Sequence, residues 1–214
     1  MSEETTLADL RVLDLSTSAA GAFCARLFAD YGADVIAIAP PSAARAPFSE
    51  GKRSVTLDIH KPLGAQLFRA MVEKAMVVIE TFPDGTLGSY GLGFAELQAI
   101  KRRIILVSID STNAQPDGEH FAGLHAFAAA ALAAFNADSH EIPQHIRIST
   151  ADCLAAARGF PAGGAVANDA PFTISTVEWA RGDAPTPGEH TAEIFAELHI
   201  TAEEMEQLRA EGVV

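Results

Sequence analysis

Along the first forty residues, short apolar runs alternate with a longer stripe of apolar residues at helical spacing. Residues 11–15 form a β-rich run that ends in the polar cluster 16–18. The segment from Ala20 to Tyr31 predicts a helix, because its large apolar side chains fall on one stripe. Residues 35–38 then predict a second buried strand. A strand, a helix and a strand in this order predict a βαβ unit with parallel strands and a right-handed crossover.

The alternation continues along the chain. In chain order the pattern predicts a helix over 62–74, a third strand over 76–80, a short helix ending near residue 101, a fourth strand over 104–108 and an alanine-rich helix over 120–136. This order is typical of an α/β fold. We therefore expect a single doubly wound, Rossmann-like parallel-sheet domain that the C-terminal helices complete.

The turn from Ser16 to Ala22 is the first place where we expect a binding site. Ligands of open parallel sheets bind beyond the carboxyl ends of the strands, and this turn follows the first strand. No Gly-x-Gly-x-x-Gly sequence follows that strand. The sequence therefore gives only weak support to a generic dinucleotide-binding protein.

Several strings resemble a known family. They are Arg-Val-Leu-Asp-Leu from residue 11, Leu-Phe-Ala-Asp-Tyr-Gly-Ala-Asp-Val-Ile from residue 27, Gly-Lys-Arg-Ser-Val-Thr-Leu-Asp from residue 51 and Ala-Gly-Leu-His-Ala from residue 122. Together they are similar to the signature of the class III CoA-transferases, a superfamily that includes formyl-CoA transferase, carnitine CoA-transferase and the α-methylacyl-CoA racemases. Residues 144–149 resemble the strand that follows in that family. The resemblance implies a CoA thioester and a carboxylic acid as substrates.

The resemblance also predicts the domain organisation. Members of the family continue from the strand at 144–149 into a second, smaller domain and return to the first near the carboxyl terminus. Here residues 150–170 would form a short Gly/Ala-rich bridge instead, and residues 171–214 resemble the returning tail. We expect one large domain, with 1–149 as its N-terminal βα units. We interpret the chain as a condensed family member that lacks the small domain.

Composition and charge narrow the classes of partner. The 15 basic and 28 acidic residues give a net charge of −13, which argues against nucleic acid or an anionic membrane as partner. No apolar run approaches the ~20 residues of a membrane span, and the acidic N-terminus is unlike a secretory signal. The two cysteines, Cys24 and Cys153, suggest neither a disulfide framework nor a metal site. We expect a cytoplasmic protein without a metal, in which Cys24 is a buried helix residue.

The resemblance implies a carboxylate nucleophile. In the family an aspartate attacks the donor thioester, and it lies four residues before the Gly of the Ala-Gly-Leu-His-Ala string. That position is Glu119 in this chain, with Asp117 as the alternative. His125, six residues after Glu119, would point to nearly the opposite side of a helix and is a weak acid–base partner. Since no His/Asp pair matches the racemases, we rank racemisation below CoA transfer.

The resemblance also places candidate CoA-binding residues in several loops. They are Ser18, Ala19 and Ala20 in the first turn, the cations Arg45, Lys52 and Arg53, and Thr81 with Phe82 after the predicted strand at 76–80. The family usually has Asn-Phe-Arg-Pro-Gly where this chain has Thr81-Phe82-Pro83-Asp84-Gly85. A cation is therefore absent and an acid is added near the expected polyphosphate, which is unfavourable for binding it.

Two interpretations of function follow. The first is a CoA-transferase that uses CoA or an acyl-CoA as substrate, with Glu119 as nucleophile. The second is a non-catalytic paralogue, or pseudoenzyme, that acts as a binding or regulatory subunit. For both we expect a homodimer or a heteromer with a full-length relative.

Overall fold

The computed structural model of the protein describes residues 6–43, 47–111, 115–140, 142–159 and 185–214. Six parallel strands form one sheet in the order β3-β2-β1-β4-β5-β6. The strands are β1 (Arg11–Asp14), β2 (Asp34–Ala39), β3 (Arg53–Thr56), β4 (Val77–Glu80), β5 (Ile105–Asp110) and β6 (Gln144–Ser149). The order of strands reverses between β1 and β4, which is where sheets of this kind bind ligands.

Helices cover both faces of the sheet. They are α1 (Ala19–Asp30), α2 (Pro62–Glu73), α3 (Thr86–Ser89), α4 (Phe94–Ile100), α5 (Pro116–His140), α6 (Thr150–Gly159), α7 (Thr191–Ala196) and α8 (Ala202–Ala210). Proline begins α2 and α5, where its missing N–H is not needed for the helix. Among the residues that the structure describes, no helix has the length and hydropathy to cross a membrane.

Strand residues alternate between two apolar cores. Val12, Val77 and Val107 face the first core, which is packed against α1 and α5. Leu13, Ile36 and Leu106 face the second core, together with side chains from α2, α4, α7 and α8. The C-terminal segment therefore packs on the sheet, and Asp58 N also donates to Val213 O at 2.8 Å.

The position of α5 on the sheet is unusual. From β1 the chain passes through α1 to β2, toward the β3 edge of the sheet. From β5 it passes through α5 to β6, which is the opposite edge. Helices α1 and α5 nevertheless pack on the same face of the sheet. The connections through α2 and α4 move in the same direction as β5–α5–β6 but cover the opposite face. The α5 crossover thus has the opposite hand to the other helical crossovers, whereas about 98% of such connections are right-handed. As a result, the amino end of α5 lies beside α1.

The predicted fold class is confirmed, and three details differ. The sequence pattern did not predict β3, so the predicted third strand is the fourth in the chain. Helix α5 begins at Pro116 and not at His120, which places Asp117 and Glu119 in its first turn. The first ten residues of the predicted bridge form α6. The rest of the bridge lies outside the described residues.

Candidate functional site

A cleft of about 360 Å³ lies beyond the carboxyl ends of β1, β2, β3 and β4. The residues that line it come from the turn after β1 and the start of α1, the end of β2 and the segment after it, the segment after β3 and the loop after β4. They are Leu15, Ser16, Thr17, Ser18, Ala22, Ile38, Ala39, Pro40, Ala43, Pro47, Leu57, Asp58, Ile59, His60 and Phe82. The predicted turn thus borders a cavity at the point where strand order reverses.

The turn between β1 and α1 is held by the side chains of Asp14, at the end of β1, and Thr81, directly after β4. Asp14 Oδ1 accepts hydrogen bonds from the amide and the hydroxyl of Ser16. Thr81 Oγ1 accepts from Thr17 N at 2.8 Å and from Ser18 N at 3.2 Å. The Thr81 hydroxyl therefore accepts from the two backbone amides that directly precede α1 and fixes the chain where the helix begins.

The predicted CoA-binding residues of this turn occupy different positions. Ser18 lines the cleft, and its hydroxyl lies 2.9 Å from Ser111 Oγ. Ala20 is fully buried in α1, and Ala19 precedes it at the helix start. Phe82 lines the cleft and also packs on the second core. The structure thus brings Ser18 and Phe82 together around one cavity.

The predicted cations Lys52 and Arg53 lie on opposite faces of the sheet. Lys52 Nζ is buried and donates to Asp14 Oδ2 and to Ala22 O, both at 2.8 Å. Arg53 donates to Asp34, Glu193 and Glu197 at the amino end of the strands, away from the cleft. Both cations have carboxylate partners within the chain, and the structure does not bring Arg53 together with the other candidates. Arg45 lies outside the described residues; in the sequence it falls between Ala43 and Pro47, which line the cleft.

An Asp–His pair that sequence reasoning missed lines the cleft after β3. Asp58 Oδ1 lies 3.0 Å from His60 Nδ1 and accepts from His60 N at 3.1 Å. The His60 ring makes a T-shaped contact with Tyr90, with ring centroids 4.8 Å apart. Prediction of β3 from the sequence would have pointed to this pair, because ligands bind beyond the carboxyl ends of parallel strands and the pair follows β3.

A second polar network crosses the ends of β4, β5 and β6. Glu80 Oε2 accepts from Phe82 N at 2.6 Å, and Ser108 hydrogen-bonds the same carboxyl group. Ser108 Oγ lies 2.9 Å from His145 Nε2. Burial raises the pKa of Glu80, with a smaller effect from Asp84 in the same direction. Burial lowers the pKa of His145, and the charge of Arg147 adds to this.

The order of these groups excludes a Ser-His-acid triad. In such a triad the serine hydroxyl gives its proton to the histidine, and the acid binds the other ring nitrogen. Here the Ser108 hydroxyl donates to Glu80, because a carboxylate only accepts, and so it accepts from His145. Ser108 is therefore not activated as a nucleophile. The network instead holds the backbone of Phe82 at the edge of the cleft.

The two candidate nucleophiles lie in the first turn of α5. Asp117 is exposed and Glu119 is half-buried. Glu119 precedes Gly123 by one turn, and Gly123 packs against Ala20 of α1. Within the described part of the chain, neither acid is among the residues that line the cleft. The amino end of α5 nevertheless lies beside the turn that does.

His120 and His125 of α5 contact carbonyl groups of their own helix. Nδ1 of His125 lies 2.8 Å from Phe121 O, and Nδ1 of His120 lies 3.1 Å from Pro116 O. Both residues are exposed, and the partner of each Nδ1 atom is a backbone carbonyl and not Glu119. Cys24 is fully buried, and burial raises the pKa of its thiol, which confirms that it is a helix-packing residue. The described residues contain no cluster of His, Cys, Asp and Glu suited to a metal ion.

Comparison with known proteins identifies the family. The sequence model of CoA-transferase family III matches residues 7–162. The fold, the cleft at the reversal of strand order and this match agree, and the chain belongs to CoA-transferase family III.

Individual relatives resemble the chain over part of their length. The succinyl-CoA–D-citramalate CoA-transferase of Chloroflexus aurantiacus is 32% identical over 170 residues, which is 70% of this chain and 42% of that protein. The β subunit of succinyl-CoA–L-malate CoA-transferase from the same organism is 35% identical over 48% of this chain and 30% of its own. The crystal structure of a CAIB/BAIF family protein from Brucella suis superposes with a TM-score of 0.65 at 25% identity, covering 72% of this chain and 56% of that one. The chain thus spans less than half of the length of either transferase.

Proposed function

We propose that this chain binds CoA or a CoA thioester in the cleft and transfers CoA between carboxylic acids, with Glu119 as the nucleophile. The observation that carries the proposal is the cleft itself, which forms at the reversal of strand order in a chain of this family. The turn after β1 supplies hydroxyl groups and the start of α1, and helix starts favour anions such as phosphate. Phe82 supplies an aromatic surface for a base.

Binding of a polyanion such as CoA depends on the cations available at the cleft. Among the described lining residues there is no Lys or Arg. Arg45 lies in the sequence between two lining residues, Ala43 and Pro47. We assign Arg45 as the cation that meets a CoA phosphate, because Lys52 and Arg53 are paired inside the chain.

The chemistry needs one carboxylate and no metal. Glu119 attacks the thioester carbonyl of the donor, forming a mixed anhydride and releasing CoA thiolate. The thiolate attacks the glutamyl carbonyl, which gives a glutamyl-CoA thioester and frees the donor acid. The acceptor carboxylate then repeats the two steps in reverse and leaves Glu119 unchanged. Because the C. aurantiacus relatives are named for succinyl-CoA, we propose succinyl-CoA as the first donor to test.

A non-catalytic binding or regulatory subunit is the second candidate function. Two observations favour it: Glu119 is absent from the described lining of the cleft, and the described lining lacks Lys and Arg. One of the similar proteins is itself named as the β subunit of a CoA-transferase. A subunit of this kind would bind a full-length family member, whereas the enzyme would act as a homodimer.

Calorimetric titration with CoA and with succinyl-CoA tests the proposal. We expect micromolar affinity in the wild type and at least about tenfold weaker binding in Arg45→Ala, since one phosphate contact is lost. Arg102→Ala serves as the matched control, because Arg102 is an exposed cation away from the cleft. If millimolar CoA produces neither heat nor a thermal shift, the proposed enzyme is refuted. Co-purification with a full-length family member would then support the subunit.

A further inference from the structure

The buried ion pair between Lys52 and Asp14 joins the two ends of the turn that borders the cleft. Lys52 Nζ lies 2.8 Å from Asp14 Oδ2 and 2.8 Å from Ala22 O, and the two side chains are 1% and 5% exposed. Asp14 is the last residue of β1, while Ala22 lies in the first turn of α1. The lysine therefore links the strand before the turn to the helix after it.

The second carboxylate oxygen of Asp14 holds the turn directly. It accepts from Ser16 N at 3.0 Å and also from the Ser16 hydroxyl. The two oxygens of the Asp14 carboxylate thus have different partners: Oδ2 binds Lys52 and Oδ1 binds Ser16. Asp14 therefore contacts both Lys52 and Ser16, and Ser16 lines the cleft.

Global stability does not explain why this pair is buried. Removing charges from water is costly, and buried pairs replaced by apolar side chains of similar size often leave a protein as stable or more stable. The buried Cys24 of the first core is close enough for both charges to act on its thiol, so an apolar pair would have an apolar neighbour there. A positional role gives the better physical reason for the pair.

We propose that Lys52 and Asp14 are positioning residues that fix the Ser16–Ala22 turn in the shape that the cleft requires and contribute little to global stability. This inference rests on the proposed function for the identity of the ligand. It assigns Lys52 an indirect role in place of the phosphate contact expected from the sequence.

Replacement of both charges separates positioning from folding. The variants are K52M, D14L and the double variant D14L/K52M. Each single variant leaves one charge buried without its partner and lowers the denaturation midpoint. The double variant regains most of that loss, because neither charge remains. Arg11→Met is the matched control, since Arg11 lies on the same strand but pairs with Asp34 and Glu197.

The reactivity of Cys24 reports the local structure without any ligand. Cys24 is fully buried in α1, and the charges of Asp14 and Lys52 both act on its thiol. Cys153 on α6 is 9% exposed and serves as an internal reference in the same digest. Under native conditions we expect D14L/K52M to react with a thiol reagent at Cys24 at least about tenfold faster than the wild type, because the turn opens locally. We expect the rate at Cys153 to stay the same.

The outcomes distinguish three cases. Wild-type stability of D14L/K52M, faster labelling of Cys24 and a loss of CoA affinity of about tenfold or more support the positioning role. A wild-type labelling rate, wild-type affinity, or a double variant as unstable as the single ones overturns it. If the wild type does not bind CoA, the proposed function fails, and labelling of Cys24 in the double variant still decides whether the pair positions the turn.

Discussion

The packing of α5 against α1 at Gly123 determines where the candidate nucleophile lies, and it can be perturbed by one methyl group. A Cβ atom on Gly123 would lie 2.6 Å from Ala20 O, 3.0 Å from Phe23 Cδ1 and 3.3 Å from Cys24 N. Ordinary contacts of this kind begin near 3.4 Å, so Gly123→Ala requires the two helices to separate by roughly 0.8 Å. The obstructing atoms include backbone atoms of α1, which cannot rotate away as a side chain does.

Two opposing terms set the size of the effect. Overpacking of this kind costs about 1–3 kcal/mol. Alanine is the better helix former, which offsets the cost by about 1 kcal/mol. We therefore expect Gly123→Ala to lower the free energy of unfolding by about 1 kcal/mol. Gly123→Val should lower it further, since valine has a weaker helix propensity than alanine.

Chemical denaturation of Gly123→Ala and Gly88→Ala measures this effect against a matched control. A Cβ atom on Gly88 of α3 would meet no atom within 4 Å, so that variant keeps or raises the stability. Because Glu119 precedes Gly123 by one turn, the displaced helix should also slow any CoA transfer although the carboxylate is retained. If Gly123→Ala is as stable as Gly88→Ala, the close approach of α1 and α5 is refuted.

Three further comparisons test other parts of the structure. Burial raises the pKa of Glu80, so the folded state binds the proton more tightly; the wild type should lose stability relative to Glu80→Gln as pH rises above 4.5, and a constant difference between pH 4 and 7 would contradict this. The pKa of Glu197 is shifted the other way: burial raises it, but the hydrogen bonds and charges of Arg53 and Arg11 together lower it. The advantage of the wild type over Glu197→Gln should therefore be complete above pH 4.5 and should be lost as the pH falls below 4.5. Phe195 is fully buried in the second core, and Phe195→Ala should cost about 3–5 kcal/mol in urea denaturation, whereas Phe135→Ala, at a side chain 79% exposed, should change stability little. Equal effects of the two phenylalanine variants would show that α7 does not pack on the sheet.

Local sequence patterns predicted the elements with strong periodicity and missed those that depend on distant residues. The α1 stripe and the strand β4 follow from their apolar residues, and both are found. The strand β3 is only four residues long and lies at the edge of the sheet, with one buried side chain. Such a strand has little apolar pattern of its own, so its pairing with β2 decides its structure.

The start of α5 was misplaced for a similar reason. The polar residues before Gly118 are typical of a loop, and glycine disfavours a helix. In the structure Gly118 lies against α6, where a Cβ atom would be 3.2 Å from Thr150 O. Close packing between two helices overrides the local preference of Gly118. Pro116, a residue typical of the first turn of a helix, is the local signal for the earlier start.

The candidate site was predicted in part. The turn after β1 borders the cleft as expected, because the rule for parallel sheets depends only on strand order. The roles of Lys52 and Arg53 depend on partners far along the chain: Lys52 pairs with Asp14, and Arg53 pairs with Glu197, 144 residues away. A pair of adjacent cations in a sequence does not show that their side chains point to opposite faces of a sheet. The assignments of Arg45 and Glu119 stay predictions.

Trapping of a covalent CoA adduct tests the proposed transfer most directly. The wild type would be incubated with succinyl-CoA, quenched in acid and digested, and the peptide that contains residue 119 would be weighed by mass spectrometry. We expect the mass of a CoA thioester on Glu119, its loss in Glu119→Gln and its retention in Asp117→Asn. Saturable binding of succinyl-CoA without any adduct, or an adduct that persists in Glu119→Gln, would contradict the role of Glu119 as nucleophile.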